Sequence, residues 1–496
     1  MTGDSPQRAR AVVIVAAVAL VLLRSIVFLC YEQNFDSDQA IVDLMAKHAS
    51  EFRTFPLFFY GQHYMLGVQA WLAVPFFWVG GPTVTMLRAP LLLTNIAVVV
   101  LLIGLLTTAV GLTPGFALLA VLPIAACGPV ASAQLLTVLG ASIEPLFYVI
   151  GLWTLRNRPV PFGVLLCLGA LHREFTLFAL PAVAFLQWLD VREIRWSAMA
   201  KAAAAFGLMW LAVDQLKRHV LDVAGPLAVS GDGGNGSLAL EAVQVGRVLS
   251  FHPDTYFARL RLLLGQGLPD LFGARTLPLF TGGIWGDGNV GSWLAGATFV
   301  AALLLCVMRL PSKIRRTDLR ALEFPAFLLL VALQALVAYG LHGGRQVEMR
   351  TELNYVLMAL FLPVAVFAGY FRVESSRGTR RVASALIAVW ALFMLFDTLR
   401  VTGQYAVSPP ASPHRVLADY LVAHRVKYAE AGYWDSYRVT FLSRERVIVG
   451  SADIVRIPWY QTRVELNRLN AARIDRLPCD WGARVAEWCV SDPLDR

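Results

Sequence analysis

Charge is scarce in this chain. Asp, Glu, Lys and Arg make up 16% of its 496 residues, against about 25% in soluble domains. That deficit excludes a large soluble enzyme. Hydrophobic residues reach 57%, and the mean hydropathy is +0.59. Cysteine is sparse too: there are six, with no CxxC pair and no His-rich spacing that would hold a metal. Internal repeats and heptads are missing. Their absence excludes a solenoid or a coiled coil and speaks against a transporter built from paired repeats with broken helices.

What the chain has instead is a series of apolar runs. A helix needs roughly 20 apolar residues to cross a bilayer. Such runs fall near 11–30, 66–80, 89–109, 112–127, 131–153, 162–189, 198–214, 291–309, 323–341, 353–371 and 382–399. The predicted fold class is an all-α polytopic membrane protein, with about 11–13 transmembrane helices. The first run is too long for a signal-peptide core and lacks a small-residue cleavage site, so it reads as a retained helix. Between 112 and 190, Pro123, Pro129, Pro145 and the charged "LHREF" (171–175) leave room for two short helices in place of one long one.

The net charge of +9 is a matter of topology, not of nucleic-acid binding, because Lys and Arg gather in short loops between apolar runs. Arg8 and Arg10, then Arg192, Arg195 and Lys201, then Arg309 to Arg320, then Arg372 to Arg381, fall on one side of this map. Arg156 and Arg158 are the exception. With the basic side cytoplasmic, residues 31–65, 215–290 and 400–496 face outward. The C-terminus then lies outside after an odd number of spans. The tail opens with the proline-rich "SPPASP" and is predicted to fold as a small external α/β domain, which divides the chain at 399/400. Cys479 and Cys489 lie close together in it and are predicted to pair.

The first outward segment, "NFDSDQAIVDLMAKH" (34–48), carries Asp36 and Asp38 beside the membrane. Three roles fit a pair of acids there. One of them caps a helix beginning near Ala40; the two hold a divalent cation such as Mg or Mn; or one is a general base. Residues 38–52 are predicted as an amphipathic helix in the interface plane, with Ile41, Leu44, Met45, His48 and Phe52 on one stripe. The aromatic and amide-rich "FPLFFYGQHYM" (55–65) follows and, with that helix, would roof a cavity at headgroup depth.

An acidic first outward loop after span one, about a dozen spans, and "YWDSYRVTFLSRERVIV" (433–449) in the tail together resemble the GT-C superfamily. That superfamily comprises membrane glycosyltransferases using polyprenyl-phosphate sugars, among them protein O-mannosyltransferases and the transferases that add aminoarabinose to lipid A. The resemblance spans nearly the whole chain. It implies an inverting transferase in a bacterial inner membrane, acting on the periplasmic face and passing a monosaccharide to a glycan, lipid or protein acceptor. The family's acidic pair followed by Ala falls on Asp38-Gln39-Ala40, so Asp38 takes the place of the base and Asp36 would support it. Gln39 stands where many relatives have Glu, and an amide supplies no second anionic ligand for a cation.

Expected phosphate-binding residues are Arg345, Arg350, Arg173 and His63; expected substrate-binding residues are Gln39, Gln62, Tyr64 and Tyr355. Relatives often have an Arg-Tyr pair where Arg350 and Tyr355 are separated here. Solvated loop charges at Arg345 and Arg350, an Arg173–Glu174 pair stabilising the bundle, and packing of His63 among aromatics are the structural alternatives. Rival functions are a flippase for lipid-linked sugars, a glycan polymerase or ligase, and a scaffold whose tail does the binding.

Overall fold

The computed structural model describes residues 4–62, 65–138, 142–191, 196–224, 253–273, 290–314, 319–341, 353–479 and 481–491. Among them, seven helices are long and apolar enough to cross a membrane, and five more are apolar but shorter. The chain is a multi-pass membrane protein with a small C-terminal sheet. In chain order the helices are α1 (Asp4–Cys30), α2 (Ser37–Ser50), α3 (Val68–Gly80), α4 (Val84–Thr108), α5 (Pro114–Ala125), α6 (Pro129–Gln134), α7 (Glu144–Leu155), α8 (Pro159–His172), α9 (Ala179–Val191) and α10 (Trp196–Ala224). After them come α11 (Pro253–Leu262), α12 (Val290–Lys313), α13 (Glu323–Leu341), α14 (Phe361–Val373) and α15 (Arg377–Val407).

Prolines punctuate the middle of the bundle. Pro114, Pro129, Pro145 and Pro159 each sit in the first turn of their helix, where the missing N–H has no intrahelical partner to lose. The run 131–153 is thus divided between α6 and α7. The run 162–189 is two helices, α8 and α9, joined by a 3-10 turn at Glu174–Phe178. Gln187 near the end of α9 donates to the Arg156 carbonyl at 3.0 Å, so α9 returns to the end from which α8 started. Arg156 therefore shares an end of the bundle with the last turns of α9. The other end of α8 adjoins the first outward segment, whose Leu66 N–H donates to the Leu171 carbonyl at 3.0 Å.

The tail begins later than the hydropathy suggested, because α15 runs on to Val407. It contains α16 (Pro413–Ala423), α17 (Tyr433–Leu442) and α18 (Pro458–Leu466) around strands β1 (Tyr428–Ala431), β2 (Ile448–Ser451), β3 (Ala471–Arg476), β4 (Ala483–Val485) and β5 (Trp488–Val490). Strand order is β2-β1-β3-β5-β4. β1 is parallel to β2 and β3, with α17 and α18 as crossovers, while β5 is antiparallel to both β3 and β4. A disulfide joins Cys479 to Cys489 across the outer hairpin. One buried apolar cluster extends from the bundle into this sheet, and Phe35 packs on Phe441 with ring centroids 5.8 Å apart.

Candidate active site

The site begins with an arginine buried in α4. Arg88 is 1% exposed and donates Nη1 to the Phe28 carbonyl at 2.7 Å and Nη2 to the Asn34 side chain at 3.2 Å. It thereby satisfies carbonyls that the end of α1 leaves open and fixes where the chain leaves the bundle. The Asn34 backbone carbonyl accepts from the Gln39 Nε2 at 2.6 Å, and the Gln39 Oε1 accepts from the Val138 N–H at 3.3 Å. Gln39 is fully buried. An amide provides one donor and one acceptor here, whereas a carboxylate could only accept. Its side chain ties α2 to the segment after α6, and both its polar ends are engaged within the protein.

Asp36 is the N-cap of α2, accepting from the Gln39 backbone N–H at 2.9 Å. Burial, reinforced by the neighbouring Asp38, pushes its carboxyl up to about 6. Asp38 lies in the first turn of that helix and accepts a hydrogen bond from the Tyr433 hydroxyl. The two acids thus have different surroundings: one belongs to the helix terminus, the other faces the tail. Burial and the Asp38 charge raise the Tyr433 phenol well above its ordinary value, so it is a hydroxyl donor at neutral pH. Among the described residues no group of three or more His, Cys, Asp or Glu is placed to hold a metal. With Asp36 bound to a backbone N–H and Gln39 engaged at both ends, the donor set does not fit a cation.

Helix α2 is enclosed by protein along most of its length. Ser37 and every residue from Gln39 to Ala49 are buried, and α2 packs between α3 and α17. Of the predicted stripe, Ile41, Leu44, Met45 and His48 are buried against protein, while Phe52 stays exposed. Asp38 consequently stands where the membrane helices meet the C-terminal edge of the parallel strands, the edge at which open α/β sheets bind ligands. Tyr433 follows β1. Asp453 and Arg456 follow β2; Asp453 accepts from the Tyr433 backbone N–H at 2.7 Å. Arg456 lies 5.9 Å from the Tyr433 ring centroid and donates Nη1 to the Gly61 carbonyl at 3.1 Å. Gly61 has φ +69°, and a Cβ there would come within 2.8 Å of the Arg456 Cα; only glycine permits this approach.

A second contact locks the tail to the far end of α2. The Glu445 carboxylate accepts from Arg53 at 2.6 and 3.1 Å and from Tyr460 at 2.8 Å, lies 3.2 Å from the His48 Nε2, and pairs with Lys47. Burial alone would raise this carboxyl; the hydrogen bonds from His48, Arg53 and Lys47 outweigh it and hold the group well below the usual range.

The other expected site residues divide. Arg173 follows α8 at the end beside the first outward segment, its N–H bonded to the Gly169 carbonyl at 2.7 Å. Tyr355 packs edge-on against Phe175 of the same turn, with centroids 5.5 Å apart. Gln62 adjoins Gly61, and its N–H bonds the Phe59 carbonyl at 3.0 Å. His63, Tyr64, Arg345 and Arg350 lie outside the described residues, as does most of the 215–290 segment. Sequence reading missed Tyr433, Arg456, Arg88 and Glu445. A lone arginine inside an apolar run was the available signal for Arg88; Tyr433 and Glu445 lie in the tail stretch that carries the resemblance, without standing out within it, and nothing local marks Arg456.

The chain matches no protein-family model and no curated protein. Solved structures do match its fold. ArnT from Cupriavidus metallidurans bound to undecaprenyl phosphate is similar over 97% of both chains, with a TM-score of 0.57 and 12% identity. The fold is GT-C. The Archaeoglobus fulgidus oligosaccharyltransferase in the apo form is similar over 94% of this chain and 69% of its own, with a TM-score of 0.50 and 14% identity. Within this fold the acidic first segment and the C-terminal domain meet at Asp38.

Proposed function

We propose that this protein is a membrane glycosyltransferase that moves a monosaccharide from a polyprenyl-phosphate donor to an acceptor hydroxyl, with inversion. The observation that carries this reading is the position of Asp38. It is a carboxylate at the junction of the membrane helices and the ligand-binding edge of a parallel sheet, on a fold shared with a protein that binds undecaprenyl phosphate. Asp38 takes the proton from the acceptor hydroxyl, and that oxygen attacks the anomeric carbon from the face opposite the phosphate. The carbon–oxygen bond to the phosphate breaks and polyprenyl phosphate leaves as an anion. No general acid is required, unlike the two-carboxylate arrangement of glycosidases. Arg173, with Arg345, Arg350 and His63, would supply positive charge or hydrogen bonds to the leaving phosphate. The reaction belongs on the outer face of a bacterial cell membrane, on the side opposite the basic loops.

The test is release of polyprenyl phosphate from a panel of polyprenyl-phosphate monosaccharides. Asp38→Asn keeps the side-chain shape and should fold and bind donor, yet lose transfer by about 10²–10⁴-fold, the range for removal of general acid–base help. A folded Asp38→Asn protein with near-normal turnover would overturn the assignment. For the orientation, a reporter active only in the cytoplasm and fused after Arg496 should stay silent.

A further inference from the structure

The bundle holds a concavity at the end remote from Asp38. A cavity of about 580 Å³ lies between α8, α9 and α10. Its body is apolar, walled by residues such as Phe162, Leu166, Leu180, Val183 and Phe206. Its polar residues collect at one end, where the α7–α8 turn meets the end of α9 and the start of α10: Arg156, Asn157, Gln187, Trp188 and Trp196. No acid lines it.

Direction and length identify the occupant. The α8 end that touches the first outward segment is Leu171, so the Arg156 end is the opposite one. Along α10 the lining runs from Trp196 to Phe206, ten residues at about 1.5 Å rise, or roughly 15 Å. That is the depth of one leaflet of a hydrocarbon core about 30 Å thick. Tryptophans at one end of such a slot sit at the level of lipid headgroups. Arg156 is held over the Trp153 ring at 4.0 Å and gives one N–H to the Trp153 carbonyl at 3.0 Å, so its plane is fixed, and a guanidinium has five donors in all. Arg158 follows it in the sequence. Basic pockets between transmembrane helices on the cytoplasmic side take anionic headgroups.

We infer that this slot binds one anionic phospholipid of the leaflet opposite the catalytic face, an acyl chain along α8–α10 and the phosphate at Arg156. The site is separate from the one at Asp38 and does not depend on the reading of that site. Glu323 acts on the Arg156 charge, so neutralising it should strengthen the headgroup contact.

Native mass spectrometry of the full chain tests this with phosphatidylglycerol and phosphatidylcholine of identical chains, added at equal concentration after delipidation. Phosphatidylglycerol should be retained at least about fivefold over phosphatidylcholine. Arg156→Gln should erase the preference while leaving chain binding, Glu323→Gln should increase it, and Ala184→Phe, which fills the slot, should lose both lipids. Equal retention of the two lipids, or a preference untouched by Arg156→Gln in a protein of normal helix content, overturns the inference. Displacement of the retained lipid by polyprenyl phosphate but not by excess phosphatidylglycerol would also overturn it, by giving the slot to a prenyl chain.

Discussion

The contact at Glu445 makes the sharpest demand on the chain, because one carboxylate from the tail receives groups from four residues. Consider Glu445→Gln, which keeps the volume and removes the charge. The Glu445 and Lys47 side chains are each only 9% exposed, so the substitution leaves a cation with little water and no countercharge on that side. Breaking a buried pair in this way costs about 3–5 kcal/mol. Arg53 is 30% exposed and keeps Glu51 at 3.1 Å, so its share is about 0–1 kcal/mol. Lys47 also retains Glu51 at 2.8 Å, which places the total near the lower bound, about 3 kcal/mol. At 1.4 kcal/mol per tenfold, the tail should separate from α2 about a hundred times more often.

Hydrogen exchange reads this directly: α2 and α17 amides should exchange faster by that order, with α1 and α4 unchanged. Exchange in α2 within twofold of the parent would refute the reasoning. The pH dependence has a definite sign. The Glu445 carboxyl is depressed on folding, so its contribution is present above the unfolded value of about 4.3 and is lost as pH falls below it. Burial, opposed by Glu445, also lowers His48, so a second contribution is present above about 6.5 and fades as pH falls through that value. The contact should therefore loosen in two steps on acidification.

Tyr433→Phe removes the hydrogen bond to Asp38 and should lower kcat by about 10–100-fold with little change in KM, since a hydrogen bond to a charged group is worth about 1.5–3 kcal/mol; steady-state kinetics with the active donor decide it. Asp43 is fully buried with neither carboxylate oxygen hydrogen-bonded, and burial holds its carboxyl well above the ordinary range. Stability from this group is present below about pH 4 and is lost as pH rises, so Asp43→Asn should raise the melting temperature more at pH 8 than at pH 5. Reduction of Cys479–Cys489 opens an 11-residue loop and should cost the tail about 3 kcal/mol in the loop-entropy model; thiol labelling of unfolded, unreduced protein should modify neither cysteine.

Hydropathy alone determined that the chain is a membrane protein, because a helix that crosses a bilayer must be a long apolar run and composition cannot disguise such runs. The place of the acidic segment after the first span was equally legible, as was the resemblance to GT-C enzymes. Helix α2 was legible in type, since Asp36 has the chemistry of a cap, but not in surroundings. An apolar stripe says that a face is covered; it does not distinguish lipid from the α17 surface that covers it here. The split of 162–189 into α8 and α9 falls at the charged "LHREF", where the sequence left room for it; that α9 folds back to the start of α8 turns on Gln187 reaching the Arg156 carbonyl, a contact between helices that no local pattern encodes. The site itself was decided by tertiary structure. Asp38 and Tyr433 are 395 residues apart, and they meet because the crossovers of a small parallel sheet bring the ends of β1 and β2 to one edge, which α2 and Gly61 are shaped to receive. Local sequence specifies which groups can donate, accept or cap; only the packed chain decides which of them face each other.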